Sequence, residues 1–395
     1  RCKGESIHTR HFPERLTQRH RAMKGTASIQ ATAKEKSLTG LFFSLIRCGI
    51  GKRQSLPYAP SEGEWSTLYE ISEKQALTGI AFAGVMNLPP EQRPPKRILL
   101  MWHAASEQIR EKNTELDKRS IAVSKRFSQL GFRNSILKGQ GIAQLYPDPA
   151  LRCPGDIDIW LEGGTDKILG YVKKCFPGCK PTYHHVDFPI KKEVSIEIHF
   201  TPSWMYSPIG NSRLQRFIAE NADKQFTNLT ATPDGSIPAP TLEFNRVYIL
   251  LHIYRHLFQE GIGLRQMLDY YFVLDKGFTA DGKAATLKTL KAIGLLDFAA
   301  ATMYVLKEKF GLEEEKLLTI PDRRRGEFLL KEIMTAGNFG KYDSRYAIIS
   351  KEQEFRHFAN SMRRITRLIA QYPGETLWSP YFKVWHMLWR KRRAQ

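Results

Sequence analysis

Apolar residues recur at helical spacing from Glu64 to Leu88, at Trp65, Leu68, Tyr69 and Ile71 and then at Ala76, Leu77, Ile80 and Phe82, and the run stops at Pro89-Pro90. That spacing predicts a helical opening region. A second proline pair, Pro94-Pro95, precedes another helical pattern from Arg97 to Leu130, with Gly131 placed to cap it. The period then changes. Asn134 to Leu137 reads as a short buried strand, Gly139 to Leu145 as a short helix, and Asp156 to Leu161 as a strand that Gly163-Gly164 turns. Thr165 is placed to cap a helix reaching Phe176, where Pro177-Gly178 stops it. Thr182 to Ile190 and Val194 to Phe200 read as two strands joined by Lys191-Lys192-Glu193. After about Ser212 the pattern is helical throughout, over Leu214 to Asn221, Phe244 to Gln259, Leu264 to Leu274, Leu287 to Phe310 and beyond.

Helices and strands mixed within about 70 residues predict an α+β chain with a small mixed β-sheet core between helical flanks. The expected division is a basic N-terminal extension over residues 1–59, ordered only in part, a helical region over 60–131, a catalytic core over 132–227 and a helical domain over 242–395. Between the last two, Asn228 to Thr241 holds three threonines with Pro233, Pro238 and Pro240, and reads as a hinge.

Composition narrows the class. The chain is 42% hydrophobic and 25% charged, ordinary values for a globular protein. The longest apolar stretches, Leu41 to Ile46 and Gly79 to Leu88, fall short of the roughly 20 residues a transmembrane helix needs, so a soluble protein is expected. Five cysteines, odd in number, make no disulfide framework or zinc-finger spacing and fit a reducing cytoplasm. A formal charge of +20 attracts polyanions and nucleoside triphosphates alike, and leaves RNA open as a partner. No apolar region follows the basic N-terminus; Met23 is a candidate true start, with residues 1–22 a mistranslated or tag-like leader and an organellar presequence the competing reading.

Candidate chemistry starts from alternation. In a strand, Asp156 and Asp158 point one way while Ile157 and Ile159 point the other. Two carboxylates about 7 Å apart along a strand repel unless a cation sits between them, and hard Mg²⁺ is the natural one. From Val194 to Phe200 the same alternation puts Ser195, Glu197 and His199 opposite Val194, Ile196, Ile198 and Phe200, which brings a third carboxylate to a polar face. Two metals held by three carboxylates stabilise an in-line phosphoryl displacement. Upstream, Leu137-Lys138-Gly139-Gln140-Gly141 passes from strand to helix, where Gly139 and Gly141 allow close backbone approach and free N–H groups face an anion. It is not a Walker loop.

Taken together, Leu137-Lys138-Gly139, Tyr146-Pro147-Asp148-Pro149, Arg152, Gly155-Asp156-Ile157-Asp158 and Glu197-Ile198-His199 resemble an uncharacterised bacterial nucleotidyltransferase family of the DNA polymerase β-like superfamily. The resemblance covers roughly residues 60–290, from the Trp65 helix to Arg265 and Asp269. It implies that Asp156, Asp158 and Glu197 are the catalytic and metal-binding carboxylates for two Mg²⁺ ions, with Mn²⁺ a substitute, and that Gly139 lies in the nucleotide-binding turn. The family superfold usually has Gly-Ser or Gly-Gly where Lys138-Gly139 stands, so Lys138 either contacts a phosphate or pairs with an acidic neighbour.

Arg152 could neutralise a transferred phosphate or pair with Asp148 or a cleft carboxylate. His184, His185 and His199 read as residues that orient the site, because Mg²⁺ prefers oxygen. His252 and His256, and Arg265 and Asp269, each share a helix face and read either as nucleotide or acceptor contacts or as packing and a plain salt bridge. Trp378, Phe382, Trp385 and Trp389 form a stripe before a basic run, expected to dock on the helical domain, with a membrane surface or RNA as alternatives. The expected activity is transfer of NMP from an NTP, ATP among them, to a hydroxyl of RNA, protein or a small molecule. A non-catalytic nucleic-acid or partner-binding scaffold and a related phosphotransferase are the alternatives.

Overall fold

The computed structural model describes residues 38–189, 194–346 and 354–394. The expected turn at Lys191-Lys192-Glu193 and the expected leader lie outside the described residues. Helix α1, residues 38–49, buries Leu41, Phe42, Leu45 and Ile46 in the main core, so the basic extension ends in an ordered, packed helix. Helix α2 (Glu62–Lys74) opens on a capping box in which Ser61 and Glu64 satisfy each other's backbone N–H groups. Helix α3 (Thr78–Asn87) stops just before Pro89-Pro90. It lies so close to α1 that a Cβ on Gly49 would meet the Ile80 carbonyl at 2.1 Å, and one on Gly84 the Leu45 carbonyl at 2.3 Å. Only glycine permits that approach. Helix α4 (Lys96–Gln129) starts after Pro95, runs for 34 residues and ends where Gly131 takes φ +79°.

Four strands follow: β1 (Asn134–Leu137), β2 (Ile157–Leu161), β3 (His185–Asp187) and β4 (Ile196–His199), in the order β1-β2-β4-β3. The β2–β4 pair is parallel and its two flanking pairs are antiparallel. A parallel pair needs a long crossover, which here carries helix α6 (Gly164–Cys175). Gly163, at φ +127°, stands at the start of α6, and no side chain caps it, so Thr165 lies inside the helix rather than at its cap. Short helix α5 (Gly139–Ala143) leaves β1 as expected. Alternation sorts the sheet's faces: Ile136, Ile157, Ile159, Leu161, Val186, Ile196 and Ile198 form one core with α4 and α6, whereas Leu137 and Trp160 join the main core.

Helix α7 (Pro208–Thr227) leads into β5 (Leu229–Thr232) and β6 (Gly235–Pro238), an antiparallel hairpin where a hinge was expected. The reason is legible in hindsight: β-branched Thr230 and Thr232 precede Pro233-Asp234-Gly235, a turn sequence, and Ile237 after it is fully buried. Helices α8 (Leu242–Gln259) and α9 (Leu264–Asp275) are buried on nearly every side. The helix expected from Leu287 to Phe310 divides at Gly294, φ +77°, into α10 (Ala280–Ala292) and α11 (Leu296–Val305). Helices α12 (Arg323–Ala336), α13 (Glu354–Leu368) and α14 (Pro373–Ala394) complete the chain. Helical flanks around a small mixed sheet make this an α+β fold. Among the described residues no helix is long and apolar enough to cross a membrane.

Helix α14 does not dock on the helical domain alone. Phe382 stacks on Trp204 at 4.0 Å between centroids, and Tyr183 meets Phe382, Trp385 and Trp389 edge-on, so the aromatic stripe covers the loop that follows β4 and the one that precedes β3.

Candidate functional site

The polar face of the sheet is roofed by α8 and α14, and a cavity of about 810 Å³ lies between them, within the range of small-molecule sites. Its floor is set by register. Asp158 and Glu197 are direct partners in the parallel β2–β4 pair, so their side chains leave the sheet side by side, and His199 follows two residues along the same face. Donor atoms of Asp158, Glu197 and His199 all fall within 4.8 Å of one another. Glu197, His199 and Asp156, just before β2, line this cavity, while Asp158 lines a smaller pocket beside it with Lys138 and Asp156; Asp156 is near enough to raise the proton affinity of Glu197 but stands outside that close group.

Lys138 reaches this floor through an unusual backbone. It sits at φ +54°, ψ −142°, with Gly139 at φ +42°, and this sharp exit from β1 sends its side chain over β2. Its Nζ lies 2.9 Å from Asp158 Oδ2, while His199 Nε2 lies 2.8 Å from Asp158 Oδ1. Thus Asp158, 1% exposed, holds a cation on each oxygen. Of the two readings of Lys138, pairing with an acidic neighbour is the one present here.

Burial alone would raise the Asp158 carboxyl, but Lys138 and His199 outweigh it and hold it below the usual carboxylate range. Burial likewise opposes ionisation of Glu197, yet the hydrogen bond from the charged His199 leaves it at about 2. His199 is disfavoured as a cation by burial and rescued by Asp158 and Glu197, which raise it to about 9. Lys138 is raised too, burial being overcome by Asp158. The floor is a network of fixed opposite charges.

The other histidines behave differently. The Trp204 indole N–H, which can only donate, gives its hydrogen bond to His184 Nδ1 at 3.0 Å. His184 must then carry its proton on Nε2 and donate to His185 Nδ1, 3.0 Å away. That leaves His185 Nδ1 an acceptor, 3.7 Å from Glu197. Burial holds His184 and His252 well below the usual histidine range. His252 and His256 pack edge to face on α8, and His256 bonds Glu260 at 2.6 Å.

Arg152, Arg265 and Asp269 line a smaller pocket together with Lys138, Gly139, Asp156 and Asp158. Arg152 is buried and pairs bidentately with Asp269, at 2.7 and 2.8 Å, and Tyr146 donates to the same carboxylate. Asp148 is not its partner; Asp269, which lines the pocket shared with Asp156 and Asp158, is. Arg265 does not bridge to Asp269 as a helix salt bridge; its Nη1 donates to the Cys153 and Pro154 carbonyls and so pins the loop that leads into Asp156. Gly139 lies under that loop, whereas Gly141 packs within 3.0 Å, at its would-be Cβ, of Ala239 behind the cavity. Sequence reasoning missed Arg255 and Lys383, which line the cavity from α8 and α14. A basic residue beside two histidines inside the apolar run of α8 was a signal for Arg255; Lys383 gave none.

A family model described as an uncharacterised nucleotidyltransferase matches residues 61–311. No curated protein matches the chain. Among solved structures, an antigenic nucleotidyltransferase-like protein from Paracoccidioides brasiliensis is similar at 12% identity, over 54% of this chain and 97% of that one, with a TM-score of 0.30, too loose a likeness to carry a structural argument.

Proposed function

Because the chain belongs to the uncharacterised nucleotidyltransferase family, we propose that its cavity transfers NMP from an NTP to a hydroxyl acceptor, releasing pyrophosphate. The observation that carries the reading is the pairing of Asp158 with Glu197 across two parallel strands, with Asp156 at the same cavity. Oxygen donors of this kind fit Mg²⁺ or Mn²⁺, and Asp156, Asp158 and Glu197 would hold two such ions. When bound, the ions supply Lewis-acid stabilisation to the attacking and leaving oxygens.

The chain's own residues do the rest. His199 anchors Asp158 and sets the position of Glu197. A carboxylate held at about 2 is ionised at neutral pH and a weak base, so Glu197 suits holding an ion better than taking the acceptor's proton. Lys138, once an ion shares Asp158, is free to turn its ammonium to a phosphate oxygen. Arg265 fixes the backbone that presents Asp156. Among the described residues Cys48, Cys153, Cys175 and Cys179 are free thiols, which supports placing the enzyme in a reducing cytoplasm.

One observation favours a non-catalytic binding scaffold: Lys138 occupies Asp158 much as a metal would. Incubation with Mg²⁺ or Mn²⁺, each α-labelled NTP and either cell extract or bulk tRNA separates the readings. Transfer that disappears in Asp156→Ala and Asp158→Ala is expected. No transfer from any NTP, or transfer that survives both substitutions, sinks the proposal, and label from the γ position alone indicates the phosphotransferase.

A further inference from the structure

The wall formed by α8 and α14 carries more positive charge than it neutralises. Arg255 is only 4% exposed, and its guanidinium packs in the angle between the edge-to-face rings of Trp204 and Tyr206, 3.6 and 4.0 Å from their centroids. Its Nη1 lies 3.2 Å from Glu375, but Nε and Nη2 are buried without a hydrogen-bond partner. Stacking on aromatic rings stabilises the charge and leaves those N–H groups unsatisfied. Glu375 is itself committed, since it also accepts from the backbone N–H groups of Tyr206 and Ser207.

Lys383 lies eight residues beyond Glu375, two helical turns along α14, and lines the same cavity, donating to the neutral Ser361 hydroxyl. Burial and then the nearby charge of Arg255 push Lys383 down to about 8, the behaviour of an ammonium that lacks an anion. One helical turn further, His386 lines the cavity too, with its Nε2 buried and unpartnered. Arg255 alone of the three is paired with a carboxylate, Glu375, while Lys383 and His386 have no anionic partner among the described residues of this wall.

We infer that Arg255 and Lys383, with His386 beside them, form an oxyanion subsite that binds a phosphate group on this wall of the cavity. A tetrahedral oxyanion suits it, because a guanidinium and an ammonium lining one cavity can each give hydrogen bonds to its oxygens, and the two rings packed against Arg255 restrict its movement. The phosphate belongs either to the triphosphate tail of the NTP or to the acceptor. The subsite deepens the nucleotidyl-transfer reading and rests on it for that choice alone.

Calorimetric titration of the full chain with inorganic tripolyphosphate, in EDTA and at fixed salt, tests it without requiring catalysis. Lys383→Met should weaken binding by about ten- to a hundredfold, the loss of one charge-assisted contact. Lys391→Met removes the same charge eight residues along the same helix, on an exposed position, and should leave affinity unchanged. Arg255→Lys keeps the charge beside Glu375 but loses the guanidinium fork, and should also weaken binding. Unchanged affinity in Lys383→Met and Arg255→Lys, or an equal loss in Lys391→Met, overturns the subsite. Displacement of tripolyphosphate by ATP assigns the subsite to the NTP tail; binding undisturbed by ATP assigns it to the acceptor. Lys383-dependent binding in a protein that transfers no label would leave the subsite standing and the transfer reading fallen.

Discussion

At the scale of single residues, the decisive competition is between Lys138 and a metal ion for Asp158. An ammonium 2.9 Å from one oxygen and an imidazole 2.8 Å from the other already neutralise this carboxylate. Any cation entering there must share or displace a charged group. Lys138→Met keeps most of the side-chain volume and removes the competitor, so Mn²⁺ should bind more tightly, by roughly tenfold for about 1.4 kcal/mol of lost competition. Nucleotide affinity should fall in the same variant, because the phosphate loses a donor. Thermal shift against Mn²⁺ and against ATP reads both, and a variant that binds Mn²⁺ more weakly than the wild type would show that Lys138 supports the metal site instead. Alternation in the sequence was enough to find Asp156, Asp158 and Glu197. It could not show that Lys138 reaches Asp158, since that depends on a left-handed φ at a non-glycine residue. Nor could it pair Arg152 with Asp269, 117 positions away.

Among the elements, α14 works with both faces and in opposite ways. Its inner stripe sets Phe382 on Trp204 and Glu375 on Arg255, while Leu377, Tyr381, Val384 and Leu388 on the outer stripe are 49–71% exposed. Phe382→Ala should therefore cost about 2 kcal/mol, less than for a fully buried phenylalanine, and lower Tm, whereas Tyr381→Ala should stay within about 0.5 kcal/mol. Comparable Tm losses in both, followed by thermal melting, would mean that the outer face is covered in solution. Proline pairs and strong periodicity made the end of α3 and the course of α4 legible, but the break between α2 and α3, where Ala76 takes φ +53°, lies inside a continuous apolar pattern and was not. The β5–β6 hairpin was not, because its strands are four residues each and prolines in that stretch mimic a linker. The aromatic stripe of α14 was visible in sequence, but its landing place was not, for periodicity tells which face is apolar and never what it meets.

For the whole molecule, the charge of +20 and the cavity make separate demands on a polyanion. A surface field is screened by salt over about 8 Å at physiological ionic strength, whereas the buried cations of the cavity are screened far less. Bulk tRNA should accordingly bind with an affinity that falls steeply as salt rises: three phosphate contacts at about −0.7 each would lose roughly twentyfold between ~50 and ~200 mM. Tripolyphosphate, held by Arg255 and Lys383 inside the cavity, should lose much less over the same range. If RNA is the acceptor, kcat/KM for label transfer to tRNA must follow the tRNA curve, because the acceptor's capture then depends on the surface field. If the acceptor is a small molecule, turnover must follow the shallow curve instead. Transfer to tRNA that ignores salt would remove the surface charge from the catalytic argument and leave the cavity alone to select the acceptor.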